Sequence, residues 1–148
     1  IYSSSFRSWI RSISLVRADV TKNLYGSKKR NLPVVLDADG LNLLTKLKLK
    51  SGIPRKMVIT PHPGEAARLV NKEVNKIQED RFKSVTALER KFGSVSVLKG
   101  SGSLVCYKRG GKQRIGVCEA GNPGMAKGGM GDVLAGLIGS FLSQGLDL

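Results

Sequence analysis

The chain is poor in aromatic, histidine, cysteine and acidic residues, and each shortage removes a class of function. Aromatic residues make up 5% of its 148 positions, and they are not interleaved with the basic clusters Lys28-Lys29-Arg30 and Lys46-Leu47-Lys48-Leu49-Lys50. The stacking platform of a single-strand nucleic-acid binder is therefore missing. One histidine and two cysteines form no CxxC or HExxH spacing, which excludes a structural zinc site, and no metal-ligating residues are assigned. Cys106 and Cys118 both fall in alternating, strand-like stretches and read as free thiols packed like small hydrophobes in a reducing compartment. Apolar runs such as those at 32–36 and 133–138 fall far short of the roughly 20 residues of a membrane span. No membrane partner is expected.

Acidic side chains are the other shortage: 11 Asp plus Glu stand against 25 Lys plus Arg, a formal net charge of +14. The surplus invites a nucleic-acid reading, so its distribution decides more than its total. Residues 1–31 hold seven basic residues and one acid, 32–92 twelve and seven, and 93–148 six and three. Beyond its start the charge is diffuse, the clusters read as solvated helix and loop faces, and nucleic acid is not the expected partner. The length allows one core, and 41% hydrophobic with 24% charged residues is a globular composition. The first sixteen residues, IYSSSFRSWIRSISLV, carry serine and arginine but no acid, the bias of an organellar transit peptide. Because the chain opens on Ile1, the interior of a longer product is the other reading.

Residues 17–30 are polar and read as helix. Leu32-Pro33-Val34-Val35-Leu36-Asp37 is a short apolar run ending in a carboxylate, and Met57-Val58-Ile59-Thr60 repeats the shape before Pro61-His62-Pro63-Gly64. Both have the form of buried parallel strands with polar groups at their C-terminal ends. A helix is expected from Glu65 to Val70, its acid suiting the positive end of the helix dipole. Asn75 to Phe92 reads as one longer helix, with Asn75 and Gln78 at capping-box spacing and Gly93 as the stop. Residues 94–98 and 104–107 form the third and fourth strands, and Arg109-Gly110-Gly111-Lys112 turns an antiparallel hairpin into a fifth near Ile115 to Cys118. In the last helix Val133, Leu134, Leu137, Ile138, Phe141 and Leu142 share one face, and Gly145 ends it. This order predicts an α/β fold: a mostly parallel sheet with helices on both faces and an antiparallel hairpin near the C-terminal part.

A glycine-rich loop, Gly121 to Asp132, feeds that last helix. Glycines let the backbone approach a ligand, and the amides of a helix N-terminus suit an anion such as phosphate. Asp132 is then either the N-cap of the helix or a base placed to accept a proton from a substrate hydroxyl, and the two roles are compatible. No GxxxxGK[ST] loop and no strand-following GxGxxG is present. Lys99-Gly100-Ser101-Gly102-Ser103 closes the third strand as a nucleotide-lining loop or an ordinary turn. His62, stiffened by Pro61 and Pro63, reads as a satisfied loop residue or a substrate contact, and the company of Thr60, Gly64 and Glu65 favours the contact. Ligands of open α/β sheets bind beyond the carboxyl ends of the strands. These three loops and a fourth, Asp37 to Asn42 with Asp37, Asp39 and Asn42, are accordingly expected to converge on one crevice.

LPVVLDADGLNLL at 32–44, ITPHPGEAARL at 59–69, VLKGSGSLV at 97–105 and GNPGMAKGGMGDVLAGLIG at 121–139 stand in this order along the chain. From about residue 30 the chain thereby resembles the NAD(P)H-hydrate dehydratases. The TPHPGE form is similar to the bacterial-type, ADP-dependent branch of that family rather than the ATP-dependent animal one. The resemblance implies a ribokinase-like fold and a hydro-lyase of nicotinamide nucleotide repair. In that activity (S)-NADHX or (S)-NADPHX is phosphorylated on its hydroxyl by ADP and eliminates phosphate, giving NADH or NADPH. The family pattern implies Asp132 as the base and a substrate contact, with His62, Pro63, Gly64, Glu65 and Arg68 also facing the hydrated dinucleotide. It implies Lys99, Gly100, Ser101, Gly102, Ser103, Asn122, Gly128, Gly129, Met130 and Gly131 as nucleotide-binding, and Mg²⁺ as cofactor with ADP or ATP as co-substrate. A cytoplasmic homo-oligomer is expected.

Two features depart from the pattern. Met130 stands where the family usually carries a small polar residue, which removes one side-chain contact to phosphate and leaves the backbone amides. Residues 1–16 lack the glycine-containing strand and loop expected upstream of the first motif. The chain is therefore read as an unassigned basic, serine-rich segment with a helix at 1–30, followed by a partial dehydratase domain at 31–148. Two alternatives stand beside it: a vitamin or sugar kinase of the same superfamily, which shares the GxGD element, and a catalytically incompetent basic module that binds anions or nucleic acid.

Overall fold

The computed structural model describes residues 26–27, 29, 31–46 and 54–148. The serine-rich start, most of the helix expected at 17–30, and residues 47–50 of the second basic cluster lie outside the described residues. The order of secondary structure is β1 (Val34–Leu36), α1 (Ala38–Lys46), β2 (Met57–Ile59), α2 (Pro63–Val70), α3 (Val74–Glu79), α4 (Arg81–Phe92), β3 (Val95–Leu98), β4 (Ser103–Arg109), β5 (Lys112–Cys118), a 3-10 turn (Pro123–Met125) and α5 (Met130–Ser143). The fold is α/β. The five strands lie side by side in chain order. β1, β2 and β3 run parallel, pairing Val34 with Met57 and Ile59 with Ser96. β4 and β5 run antiparallel as the predicted hairpin, closed by the pair Arg109 and Lys112.

Burial follows pattern. β2 is buried at all three positions, as a central parallel strand covered on both faces should be. β4 buries Leu104 and Cys106 and half-buries Ser103, Val105 and Tyr107, the period-two signature of a strand with one face against the core. The core gathers Leu36, Leu41, Leu44, Met57, Ile59 and Leu98 with Leu69 of α2 and Val85, Leu88 and Phe92 of α4. α4 lies against β3 and β4, and α2 packs on α1, α3 and α4.

The structure departs from the sequence expectations at several places. The single helix expected over 75–92 is two, because Asp80 leaves helical geometry (φ −142°, ψ 87°) and its carboxylate accepts from the Lys83 N–H at 2.9 Å. Asp competes with the helix for nearby amides and so caps α4 instead of continuing α3. The Asn75/Gln78 box does not form: Glu73 precedes α3 without a side-chain cap, and Asn75 Oδ1 accepts from the Lys76 N–H. Cys118 is exposed, whereas Cys106 is buried as expected; β5 is the outer strand of the described sheet, and Gln113 is its only half-buried residue. α5 packs against β1 but buries no residue, and Val133, Leu137 and Phe141 are each more than half exposed. Among the described residues no helix is long and apolar enough to cross a membrane.

Candidate functional site

The C-terminal ends of β1, β2 and β3 are tied together by backbone before any side chain acts. Thr60, just past β2, donates both its N–H (3.1 Å) and its hydroxyl (3.3 Å) to the carbonyl of Leu36, the last residue of β1. The Lys99 N–H, just past β3, donates to the Pro61 carbonyl at 2.9 Å. Asp37, His62 and Lys99 therefore leave the sheet side by side. α2 starts at Pro63, ahead of the expected Glu65, because two residues cap it reciprocally: His62 Nδ1 accepts from the Gly64 N–H at 3.0 Å, and the Glu65 carboxylate accepts from the His62 N–H at 2.8 Å. This pins Glu65 at the sheet end, where it is buried.

Lys99 is the centre. Its Nζ donates to Asp37 Oδ1 at 2.7 Å and lies 3.8 Å from Glu65 Oε2, whose other oxygen is 3.6 Å from His62 Nε2. The first turn of α5 closes the cluster: a Cβ at Gly131 would sit 3.0 Å from Asp37 Oδ2 and 3.5 Å from Lys99 Nζ. A side chain at this position would press on the Asp37 carboxylate. Two carboxylates share one ammonium here, so attraction for an anion must come chiefly from the amides and dipole at the start of α5. Gly129 occupies the N-cap position with φ 87° and no side-chain cap bond. Asp132 is thus not the N-cap; it is exposed in the first turn, and no described residue hydrogen-bonds its carboxylate.

The remaining expected residues lie at different distances from this centre. Arg68 Nε donates to Asn42 Oδ1 at 3.1 Å, joining α2 to α1. Asp39 is exposed in the first turn of α1, which begins at Ala38 inside what reads as a loop, and nothing ties it to Lys99. In the loop after β3, Gly100 and Gly102 adopt positive φ and the Ser103 hydroxyl donates to the Gly100 carbonyl at 3.0 Å. Asn122 caps the 3-10 turn by accepting from the Gly124 N–H at 2.7 Å; it, Gly128 and Gly129 are exposed, and Met130 is half-buried. This stretch reaches the centre through Gly131.

Sequence reasoning missed Arg81, whose guanidinium is hydrogen-bonded to the carbonyls of Leu98, Lys99 and Ser101. No sequence signal pointed to it, because its place at the first position of α4, opposing the helix dipole, appears only once Asp80 breaks the helix expected over 75–92. Among the described residues no three His, Cys, Asp or Glu side chains come together as metal ligands.

Residues 18–148 match the NAD(P)H-hydrate dehydratase family. The chain is 44% identical over 135 residues to a bifunctional NAD(P)H-hydrate repair enzyme of Coxiella burnetii, a span of 90% of this chain and 26% of that protein. It is 44% identical over 117 residues to an ADP-dependent (S)-NAD(P)H-hydrate dehydratase of Neisseria meningitidis, covering 77% of this chain and 38% of the relative. The structure is similar to an ADP/ATP-dependent NAD(P)H-hydrate dehydratase from Bacillus subtilis co-crystallized with ATP/Mg²⁺, with a TM-score of 0.64 and 32% identity over 75% of this chain and 38% of the other. A ribokinase-like superfamily protein from Enterococcus faecalis gives a TM-score of 0.68 at 24% identity, covering 95% of this chain and 52% of that one, which speaks for the fold alone. The chain thus spans 26% to 38% of the length of these two curated relatives.

Proposed function

Because the chain belongs to the NAD(P)H-hydrate dehydratase family and is ribokinase-like in fold, we propose that it carries the reacting end of an ADP-dependent hydro-lyase. That enzyme would convert (S)-NADHX or (S)-NADPHX to NADH or NADPH, with release of AMP and phosphate. The supporting observation is the meeting of Lys99, Asp37 and Glu65 against Gly131, one residue before Asp132 at the start of α5.

A phosphoryl group over the first turn of α5 meets amides of Gly129 to Gly131 and the positive end of the helix dipole, with the Lys99 ammonium alongside. Asp132, not used as a cap, takes the proton from the hydrate's hydroxyl as that oxygen attacks the β-phosphorus of ADP and AMP departs. The phosphate ester so formed is a far better leaving group than hydroxide. The lone pair of the adjacent ring nitrogen expels phosphate, and loss of a proton from the neighbouring carbon restores the double bond. Magnesium carried on the nucleotide would neutralise phosphate charge. His62, Pro63, Gly64, Glu65 and Arg68 then face the hydrated dinucleotide, and the loops at 99–103, 122 and 128–131 face the nucleotide, with Asp37, Asp39 and Asn42 bordering the crevice.

The same reading places the protein in the cytoplasm and makes it a homo-oligomer. We keep residues 1–30 apart from the dehydratase region at 31–148, although the family match reaches back to residue 18. Incubation with NADHX, ADP and Mg²⁺ should restore the absorbance of reduced nicotinamide and yield AMP and phosphate. No recovery with either ADP or ATP would overturn the reading, and a stable phosphoester of another alcohol would favour a kinase.

A further inference from the structure

Arg81 lies outside every motif that carries the family resemblance, yet its guanidinium is fastened to the loop that follows β3. Nη2 donates to the carbonyls of Leu98 (3.2 Å) and Lys99 (3.4 Å), and Nη1 donates to that of Ser101. Two features of the arrangement work against stability. The cation sits at the N-terminus of α4, against the helix dipole, and its buried Nε–H has no hydrogen-bond partner among the described residues. The loop also gives something up, since Gly100 holds φ 143° and a Cβ there would lie 3.0 Å from Nη2. The positive φ favours glycine there, and any larger residue would press on the guanidinium.

Peptide planarity carries the consequence. In a trans peptide the C=O and the following N–H point in opposite directions. Carbonyls of Lys99 and Ser101 that turn onto Arg81 therefore direct the amides of Gly100 and Gly102 away from it. The Leu98 carbonyl is held in the same way, and the next amide, Lys99 N–H, is the one bonded to Pro61 at the sheet end. We infer that Arg81 is a positioning residue for the nucleotide. It clamps the carbonyl side of the 99–102 loop so that the Gly100 and Gly102 amides face an anionic nucleoside diphosphate and the Lys99 side chain stays at the reacting centre. The choice of ligand rests on the dehydratase reading above.

The test measures ADP affinity by calorimetry and, in turnover, KM for ADP and for NADHX separately. Arg81→Gln should weaken ADP binding and raise its KM about tenfold, while KM for NADHX stays within about twofold. Arg81→Lys should recover part of the loss, because an ammonium replaces only part of the guanidinium fork. Gly100→Ala should weaken ADP similarly and add little to Arg81→Gln, since both release one contact. Unchanged ADP affinity in a folded Arg81→Gln protein, equal losses for ADP and NADHX, or full additivity overturns the inference. If Arg81→Gln does not fold, Arg81→Lys and Gly100→Ala decide by the same criteria. ADP binding that depends on Arg81 without any dehydration of NADHX sinks only the dehydratase reading. Dehydration whose ADP KM ignores Arg81 sinks only this inference, and an unaltered protein that binds no ADP sinks both.

Discussion

Lys99 and Asp37 stand 62 positions apart in the chain, and their 2.7 Å contact separates structural from chemical contributions to the site. Both side chains are mostly buried, so Asp37→Ala should cost about 1.5–3 kcal/mol, the range for a hydrogen bond to a charged group. Asp132 is exposed and supports nothing described around it. Asp132→Asn should therefore leave the melting temperature and ADP binding in place while turnover falls by about 10²–10⁴. Melting curves beside steady-state kinetics check the pair, and retained turnover in Asp132→Asn removes the aspartate from the role of base. The two cysteines make a second contrast. Burial first, and then the nearby Glu89 carboxylate, push the Cys106 thiol up from its ordinary value. A raised acid is stabilising while protonated and loses that contribution as pH climbs through its folded value. Unfolding free energy should thus decline in alkaline solution, and Cys106→Ala should flatten the decline. Disulfide-exchange reagents should titrate Cys118 in the native protein and Cys106 only after unfolding.

Helix boundaries are set by single capping groups. Removing the Asp80 carboxylate by Asp80→Ala should destabilise the protein by about 1 kcal/mol, readable as a shift in the urea midpoint, and should loosen the start of α4. Apolar periodicity runs through residue 80 without a break, which is why the sequence suggested one helix there. The hairpin was legible because Gly110 and Gly111 take positive φ (59° and 77°) at the turn, a conformation that glycine announces from sequence alone. The strand ends were legible because short apolar runs stop at polar residues. His62 was harder to read. Its ring caps α2 through Gly64, a local role of the satisfied-loop kind whose partner no sequence pattern names. Asp132 reads from sequence as cap or base, and the backbone decides the first half by placing Gly129 at the cap. The Lys99–Asp37 pair and the Arg81 clasp bridge distant segments, and no local pattern encodes which cation meets which acceptor.

At the scale of the whole molecule, the surplus of basic residues and the site are separate matters. The net charge is +14, yet at the centre two carboxylates surround one ammonium, so under the proposed function the phosphates would be met by oriented backbone at the start of α5 more than by a local surplus of cations. The outward face of α5 has its own consequence. Val133, Leu137 and Phe141 recur every four residues and are each more than half exposed, which makes a greasy stripe on a strongly cationic particle. At low ionic strength mutual repulsion keeps such particles apart. Added salt shortens the reach of that repulsion to a few ångströms and, for sulfate, strengthens apolar contact. Turbidity should accordingly rise with ammonium sulfate at concentrations that leave secondary structure intact, and Leu137→Lys should move its onset upward. An unchanged onset would mean that the stripe is covered in solution. For this protein, colloidal behaviour at the bench is a readout of one uncovered helix.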